Sequence, residues 1–307
     1  MTMGLHNSLA LPRFPITSLP WSASSRKGSS ALPIALLAVV ALLPAAYSAY
    51  ILRQAARRTS ATASISPPDP LPVDATADDK DDDTLIAIPP AVRAALDEYV
   101  IARERIVSET VPLRKILPGL RAGLEAWSEK QRKGVDRDAN ARKGLLETYL
   151  ATTMRMFTWT PQAFVMKHMV SRLPDGAAYA GTFAGSYLDT CFFQAGDRVC
   201  GVYVVRERVR SKTGERVLLD LSPPEGWKGP VVAGVLDCGF VLGVEGGERV
   251  VRFVNETVMW RRKEDGKPTL LEGTVSRWLH GAMVGWMMVR GVEAVTRGDD
   301  KAKGKIA

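Results

Sequence analysis

From Tyr179 to Trp260 the chain reads as five runs rich in β-branched and aromatic residues: Tyr179–Tyr187, Arg198–Val209, Glu215–Leu221, Val231–Leu242 and Arg249–Trp260. Turn chemistry separates them, at Gly196-Asp197, Lys212-Thr213-Gly214, Ser222 to Gly229 and Glu245-Gly246-Gly247. Strands joined by connections this short pair antiparallel, because a parallel crossover needs a dozen residues or more. The last run alternates. Val251, Phe253, Asn255, Thr257 and Met259 face one way, and Val250, Arg252, Val254, Glu256, Val258 and Trp260 the other. Thr274–Arg290 then reads as a helix apolar over more than half its circumference, with Gly291 as its stop. Such a helix belongs across the sheet.

Helical spacing dominates upstream. Pro89-Pro90 opens a stretch with Val92, Leu96, Tyr99, Val100, Ile106 and Val107 at helical intervals. Leu113–Lys130 is a second, kinked at Pro118-Gly119, and helix resumes at Leu145. Thr160-Pro161 starts another, Thr as N-cap and Pro at the first helical position, ending at Pro174-Asp175-Gly176. The expected fold is α+β: helices, then an antiparallel meander of about five strands, then a long C-terminal helix packed on the sheet.

Ala31–Tyr50 is a run of twenty residues without a formal charge. A helix of that length spans about 30 Å, a bilayer's hydrocarbon core, so the run reads as an N-terminal transmembrane helix. A cleaved signal peptide is the alternative, with Ala46-Tyr47-Ser48 as a small-residue site; Arg53, Arg57 and Arg58 just beyond favour a retained anchor. Residues 1–30 form an N-terminal flank. Residues 51–90, ending in a Pro-rich and Asp-rich tract, read as a disordered linker, 91–160 as a helical segment, 161–295 as the α+β domain and 296–307 as a disordered tail. A single-pass protein of the endoplasmic reticulum, its folded domain in the cytosol, is the expected arrangement.

The net charge is +8, and residues 1–90 are balanced, so the excess lies in 91–307. Beside a membrane a basic domain points to anionic lipid headgroups; no nucleic-acid module accompanies the charge, so no nucleic-acid partner is expected. Cys191, Cys200 and Cys238 lack metal-ligand spacing and read as free buried thiols, a Cys191–Cys200 bridge being the alternative in a lumenal domain.

Candidate chemistry is sparse. No phosphate-binding glycine loop, G-x-S-x-G elbow or dinucleotide fingerprint is present, so no metal or cofactor is implied. Beyond His6 the histidines are His168 and His280, on different helices, and they are the candidate bases, with Glu256 or Asp237 as orienting carboxylate. The plainer alternative has His168 in an apolar helix face, His280 in water and Glu256 in an ion pair with Arg252 or Arg206. Asn255-Glu256-Thr257 is a formal glycosylation sequon, poorly placed in a strand. Met169, Phe253, Asn255, Trp278, Met283, Trp286 and Met287 are candidate lining for an adaptable apolar pocket, because unbranched Met fills irregular spaces.

The order of helices, meander and long C-terminal helix resembles the START-like, polyketide-cyclase-type helix-grip domain over about Pro161–Val295, without a clear first strand before the helices; an NTF2-like cone or a hot-dog fold are the alternatives. The whole layout is similar to single-span proteins of fungal secondary-metabolite gene clusters. The resemblance implies binding of an apolar small molecule and assistance to cyclisation or tailoring, with other pathway proteins as partners. An enzyme with a His base and a non-catalytic membrane or partner-binding protein are the competing classes.

Overall fold

Whether residues 99–108 coil or extend decides the architecture, and in the computed structural model they extend. The structure describes residues 49–65, 88–132, 143–211, 213–229 and 231–297. A helical stretch, 49–58, leads into β1 (Thr59–Ile65). Then come a single helical turn α1 (Pro90–Arg93), β2 (Tyr99–Ser108), β3 (Val111–Pro112) and helices α2 (Pro118–Arg132), α3 (Leu145–Phe157), α4 (Pro161–Val170), α5 (Gly176–Gly181) and α6 (Gly185–Thr190). A meander follows: β4 (Arg198–Val199), β5 (Tyr203–Arg210), β6 (Gly214–Leu221), β7 (Ala233–Glu245) and β8 (Glu248–Arg262), closed by α7 (Thr274–Arg297).

The fold is α+β, with α7 packed on an antiparallel sheet of eight strands in the order β1-β2-β8-β7-β6-β5-β4, β3 pairing with β8. Four of the five expected runs are strands. The fifth, Tyr179–Tyr187, is divided between α5 and α6, because its small residues (Ala180, Gly181, Ala184, Gly185) offer no β-branched surface to a sheet. The stretch expected as a helix through Val107 is β2: Ala102, Glu104, Ile106 and Ser108 are buried on one face, and β2 pairs along β8 from Tyr99↔Arg262 to Val107↔Val254. YVIARERIVS fits both periods, and the free edge of β8 favours the extended one. Thr59–Ile65, within the expected linker, pairs in register with β2. Pro118 opens α2 rather than breaking a longer helix.

At the β7–β8 hairpin Gly246 and Gly247 have φ of 57° and 80° between the paired Glu245 and Glu248, the left-handed pair a two-residue turn requires. Thr160 caps α4 as expected, its Oγ1 accepting from Ala163 N at 3.2 Å.

The described residues lie within one unit, 47–307. Its principal core fills the space between α3, α7 and one sheet face, with Leu146, Tyr149, Leu150, Phe253 and Met288 fully buried. Gly291 is not a stop. It lies inside α7, where an added Cβ would stand 2.7 Å from both Thr153 Oγ1 and Tyr149 Cδ2, so the missing side chain lets α3 approach α7 closely. A second apolar cluster, Ile88, Val92, Ile101, Leu218, Val235, Val258 and Trp260, covers the other sheet face around α1.

Among the described residues no helix is long and apolar enough to cross a membrane. The run Ala31–Tyr50 falls outside them except for its last two residues, as do the acidic tract through residue 87 and the tail from residue 298.

All three cysteines are free and buried. Burial, the largest influence, pushes the Cys191 thiol up to about 11, and does the same more strongly to Cys200 and Cys238. A raised thiol pKa means less thiolate at a given pH. At pH 8 alkylation of Cys191 by iodoacetamide is therefore expected about a hundredfold slower than that of an ordinary exposed thiol, rising roughly tenfold per pH unit. Complete labelling within minutes at pH 8 would contradict this.

Candidate functional site

The inward face of the sheet is mostly apolar, and one of its buried polar groups sits on β8 under α7. Along β8 that face carries Val251, Phe253, Asn255, Thr257 and Met259, all buried, as the alternation predicted. Antiparallel register sets Ile106 of β2 and Cys238 of β7 beside Asn255, and Glu104 of β2 and Leu236 of β7 beside Thr257. Glu104, Thr257 and Asn255 thus form a polar island in an apolar floor, 4 %, 6 % and 2 % exposed. Buried polar groups are costly without partners, so what each one meets defines the site.

Glu104 meets His280. Its Oε2 is hydrogen bonded to His280 Nδ1 across the gap between sheet and α7. Gly281 makes this approach possible, since a Cβ there would sit 2.7 Å from Glu104 Oε1. Asn255 Oδ1 accepts from Cys238 Sγ at 2.8 Å, and burial keeps Cys238 a thiol and hence a donor.

Beside these residues lies a cavity of about 60 Å³ lined by His280, Asn255, Thr257, Thr153 and, among apolar groups, Met154, Met283 and Met287. That is room for a few water molecules. Gln162 of α4 and Leu270 also line it, and both are exposed, which places its mouth between α4 and the start of α7. With Nδ1 engaged by a carboxylate, Nε2 is the imidazole nitrogen left for an occupant; an Nδ1–H tautomer makes Nε2 a hydrogen-bond acceptor or a base. Four methionines in the lining, Met259 with the three above, give walls that can move by side-chain rotation.

The expected site residues separate into three groups. His280, Asn255, Met283 and Met287 converge on the cavity. Phe253 and Trp286 belong to the core: Phe253 is fully buried with its ring stacked on Tyr149 at 4.4 Å, and Trp286 packs against the same cluster. His168, Met169, Trp278 and Glu256 lie elsewhere. His168 is exposed on α4, so the two histidines do not meet. Met169 is half-buried, its Cε close to Gly229, and Trp278 is 59 % exposed.

Glu256 projects from the opposite sheet face, because even-numbered residues of β8 point away from α7. It stands 2.9 Å from Arg103 Nε, not beside Arg252 or Arg206 as expected. Burial raises its carboxyl pKa, and the charges of Arg103, Arg105 and Arg216 offset part of that rise. Asp237, its cross-strand neighbour, accepts from Arg216 Nη1 at 3.2 Å. Neither carboxylate can orient His280.

Glu104 is the residue sequence reasoning missed. The signal was present, since in a strand reading of 99–108 it is the only acid in the inward row Ala102, Glu104, Ile106 and Ser108.

A larger open groove, about 840 Å³, lies at the C-terminal end of α7, lined by Arg58, Glu109, Ile116 and Glu293 among others. Arg58 donates to Glu109 at 2.8 Å and to Glu293 at 2.9 Å, so its central charges already satisfy one another, and no His or Cys lines it. The smaller cavity is the one with a histidine in its lining. Among the described residues no group of three or more His, Cys, Asp or Glu side chains could hold a metal ion. The chain matches no protein-family model, no curated protein and no solved structure.

Proposed function

We propose that the protein binds a small, mostly apolar molecule in the cavity under α7, with His280 as the polar group that meets it. The observation that carries this reading is the Glu104–His280 pair: a buried carboxylate from the sheet holds an imidazole from the helix at the wall of a Met-lined cavity. A carboxylate buried there only for stability gains little over an apolar residue, whereas one that orients an imidazole presents a defined nitrogen to a ligand. The 60 Å³ seen is smaller than the space a drug-sized ligand fills, so binding requires Met154, Met283 or Met287 to swing aside.

Two features support the wider setting. β2 supplies a strand ahead of helices α2 to α6 and pairs with β8, the last strand, which supports the helix-grip resemblance and its implied role in cyclisation or tailoring within a fungal secondary-metabolite pathway, alongside other pathway proteins. The uncharged run Ala31–Tyr50 supports a single membrane span in the endoplasmic reticulum. A domain held there has its apolar ligand concentrated in the adjoining lipid.

Photo-crosslinking tests the binding. An alkyl diazirine bearing a terminal ketone, added to the full-length protein, is expected to label Met283 or Met287, and excess unlabelled ketone to compete. Gln162→Trp, at the exposed mouth, is expected to cut that labelling about tenfold, roughly the loss of 1.4 kcal/mol of binding, without disturbing the fold. Labelling confined to other surfaces, or indifferent to Gln162→Trp and to competitor, would remove the proposal.

The dyad favours one second reading, in which Nε2 takes a proton from carbon next to a ligand carbonyl. Hydrogen–deuterium exchange at the α-carbon of the same ketone, followed by mass spectrometry, should then be accelerated by the wild type. His280→Asn should lower that rate about 10²–10⁴-fold while cross-linking persists. Equal exchange in both proteins would leave binding alone.

A further inference from the structure

Asn255 borders the cavity from the floor of the sheet, almost wholly buried, and the protein satisfies only half of its amide. Its one side-chain hydrogen bond among the described residues is the one that Oδ1 accepts from Cys238 Sγ. A thiol donates to oxygen and is a poor acceptor for N–H, so this contact sets the orientation of the amide, with oxygen toward Cys238 and nitrogen away from it. Cys238 does not line the cavity and Asn255 does, so the end of the amide that borders the space is Nδ2. Two buried N–H donors are thus left for an occupant, and a buried donor without a partner is costly.

Charge narrows what that occupant is. Besides His280 and Asn255, the polar residues of the lining are Thr153, Gln162, Tyr203 and Thr257; among the described residues no lysine, arginine or carboxylate lines the cavity. Glu104 stands behind the His280 ring, bonded to its Nδ1. A carboxylate or phosphate ligand would bring a second negative charge into a buried site where the imidazole is the only group that can carry a positive one. An ammonium would set its own donors against those of Asn255. A neutral ligand with an oxygen acceptor meets neither penalty.

We propose that the cavity selects an uncharged carbonyl compound, a ketone, ester or amide whose oxygen accepts from Asn255 Nδ2, and that Cys238 is the positioning residue that holds the amide in this orientation. The inference rests on the binding proposed for the cavity under α7. It adds the class of ligand and the group that recognises it.

The test uses the full-length protein and an alkyl diazirine without polar groups, with photolabelling of Met283 or Met287 as the signal and 2-heptanone, heptanoate, heptylamine and toluene as competitors at neutral pH. The ketone is expected to displace the label at concentrations about tenfold or more below those of heptanoate and heptylamine. Asn255→Leu, close in shape but without the donors, should weaken 2-heptanone about tenfold and leave toluene unchanged. Cys238→Ala should lower the preference for ketone over toluene and Cys238→Ser should restore it, whereas a purely structural role would move both competitors together. This second pair of variants decides the matter alone if Asn255→Leu does not fold. The proposal is overturned if heptanoate competes as well as the ketone, or if the ketone-to-toluene preference is the same in the wild type and the folded variants; binding in the cavity would then stand without this selectivity. Absence of labelling by the apolar diazirine would remove the binding itself, and this inference with it.

Discussion

Glu147→Ala is expected to destabilise the domain by about 3–5 kcal/mol, the range for removing one partner from a buried charge network. Arg208 lies between two carboxylates, donating from Nη2 to Glu147 Oε1 at 2.8 Å and from Nε to Glu215 Oε1 at 2.6 Å. All three side chains are nearly inaccessible, at 6 %, 2 % and 8 %. Burial alone would lower the pKa of Arg208; the hydrogen bond to Glu215 and the charge of Glu147 outweigh it, and the net direction is up. Arg210 Nε also reaches Glu215 Oε1, at 2.7 Å, so two arginines and two glutamates balance.

Deleting Glu147 leaves one positive charge over in a desolvated site. It also frees Gly144 N, which donates to Glu147 Oε2 at 3.0 Å at the start of α3. Against a total stability of about 5–15 kcal/mol the loss would leave the fold marginal. Pulse proteolysis in urea on the full-length protein measures it. Arg208→Ala alone should cost a comparable amount, and the double variant less than the sum, with a coupling of about 0.5–3 kcal/mol. Strict additivity would mean that the pair does not act as a unit.

That network is also a lesson in legibility. Glu147 sits at a helix start, where an acid reads as a capping residue, and Arg208 sits in a strand with charges on both sides. Nothing local links residues 147 and 208. The meander and the C-terminal helix were legible because their period and turns are local properties, and Thr160-Pro161 because a cap is one. The strand β2 was not, since YVIARERIVS offers apolar residues at both periods and only the edge of β8, about 150 residues downstream, selects one.

The candidate site was legible in part, for the same reason. His280, Asn255, Met283 and Met287 came from one strand and one helix whose inward faces could be read. Glu104 lies inside the strand that reads equally as helix, which left Glu256 and Asp237 as the carboxylates in view. A one-residue step in a strand is a change of face, and Glu256 and its partner Asp237 each stand one residue from the inward row, so both point away from His280.

The second large effect separates core from site on the same strand. Phe253 is fully buried, stacked on Tyr149 at 4.4 Å and 25°, with Phe240 at 6.4 Å, and it does not line the cavity. Phe253→Ala is expected to cost about 3–5 kcal/mol, made up of lost transfer energy, a cavity between rigid neighbours and a lost ring pair. Trp278→Ala, at an exposed position, should stay within about 0.5 kcal/mol. If Phe253 instead belonged to a ligand pocket, its ring would already border empty space, truncation would create little new cavity and the cost would fall well below that range. Urea midpoints for the two variants, with cross-linking at Met283 measured where Phe253→Ala is still folded, decide between these. A large shift in midpoint with labelling retained assigns Phe253 to the core. A small shift with labelling lost would extend the cavity two residues along β8 and move the ligand's apolar end away from His280.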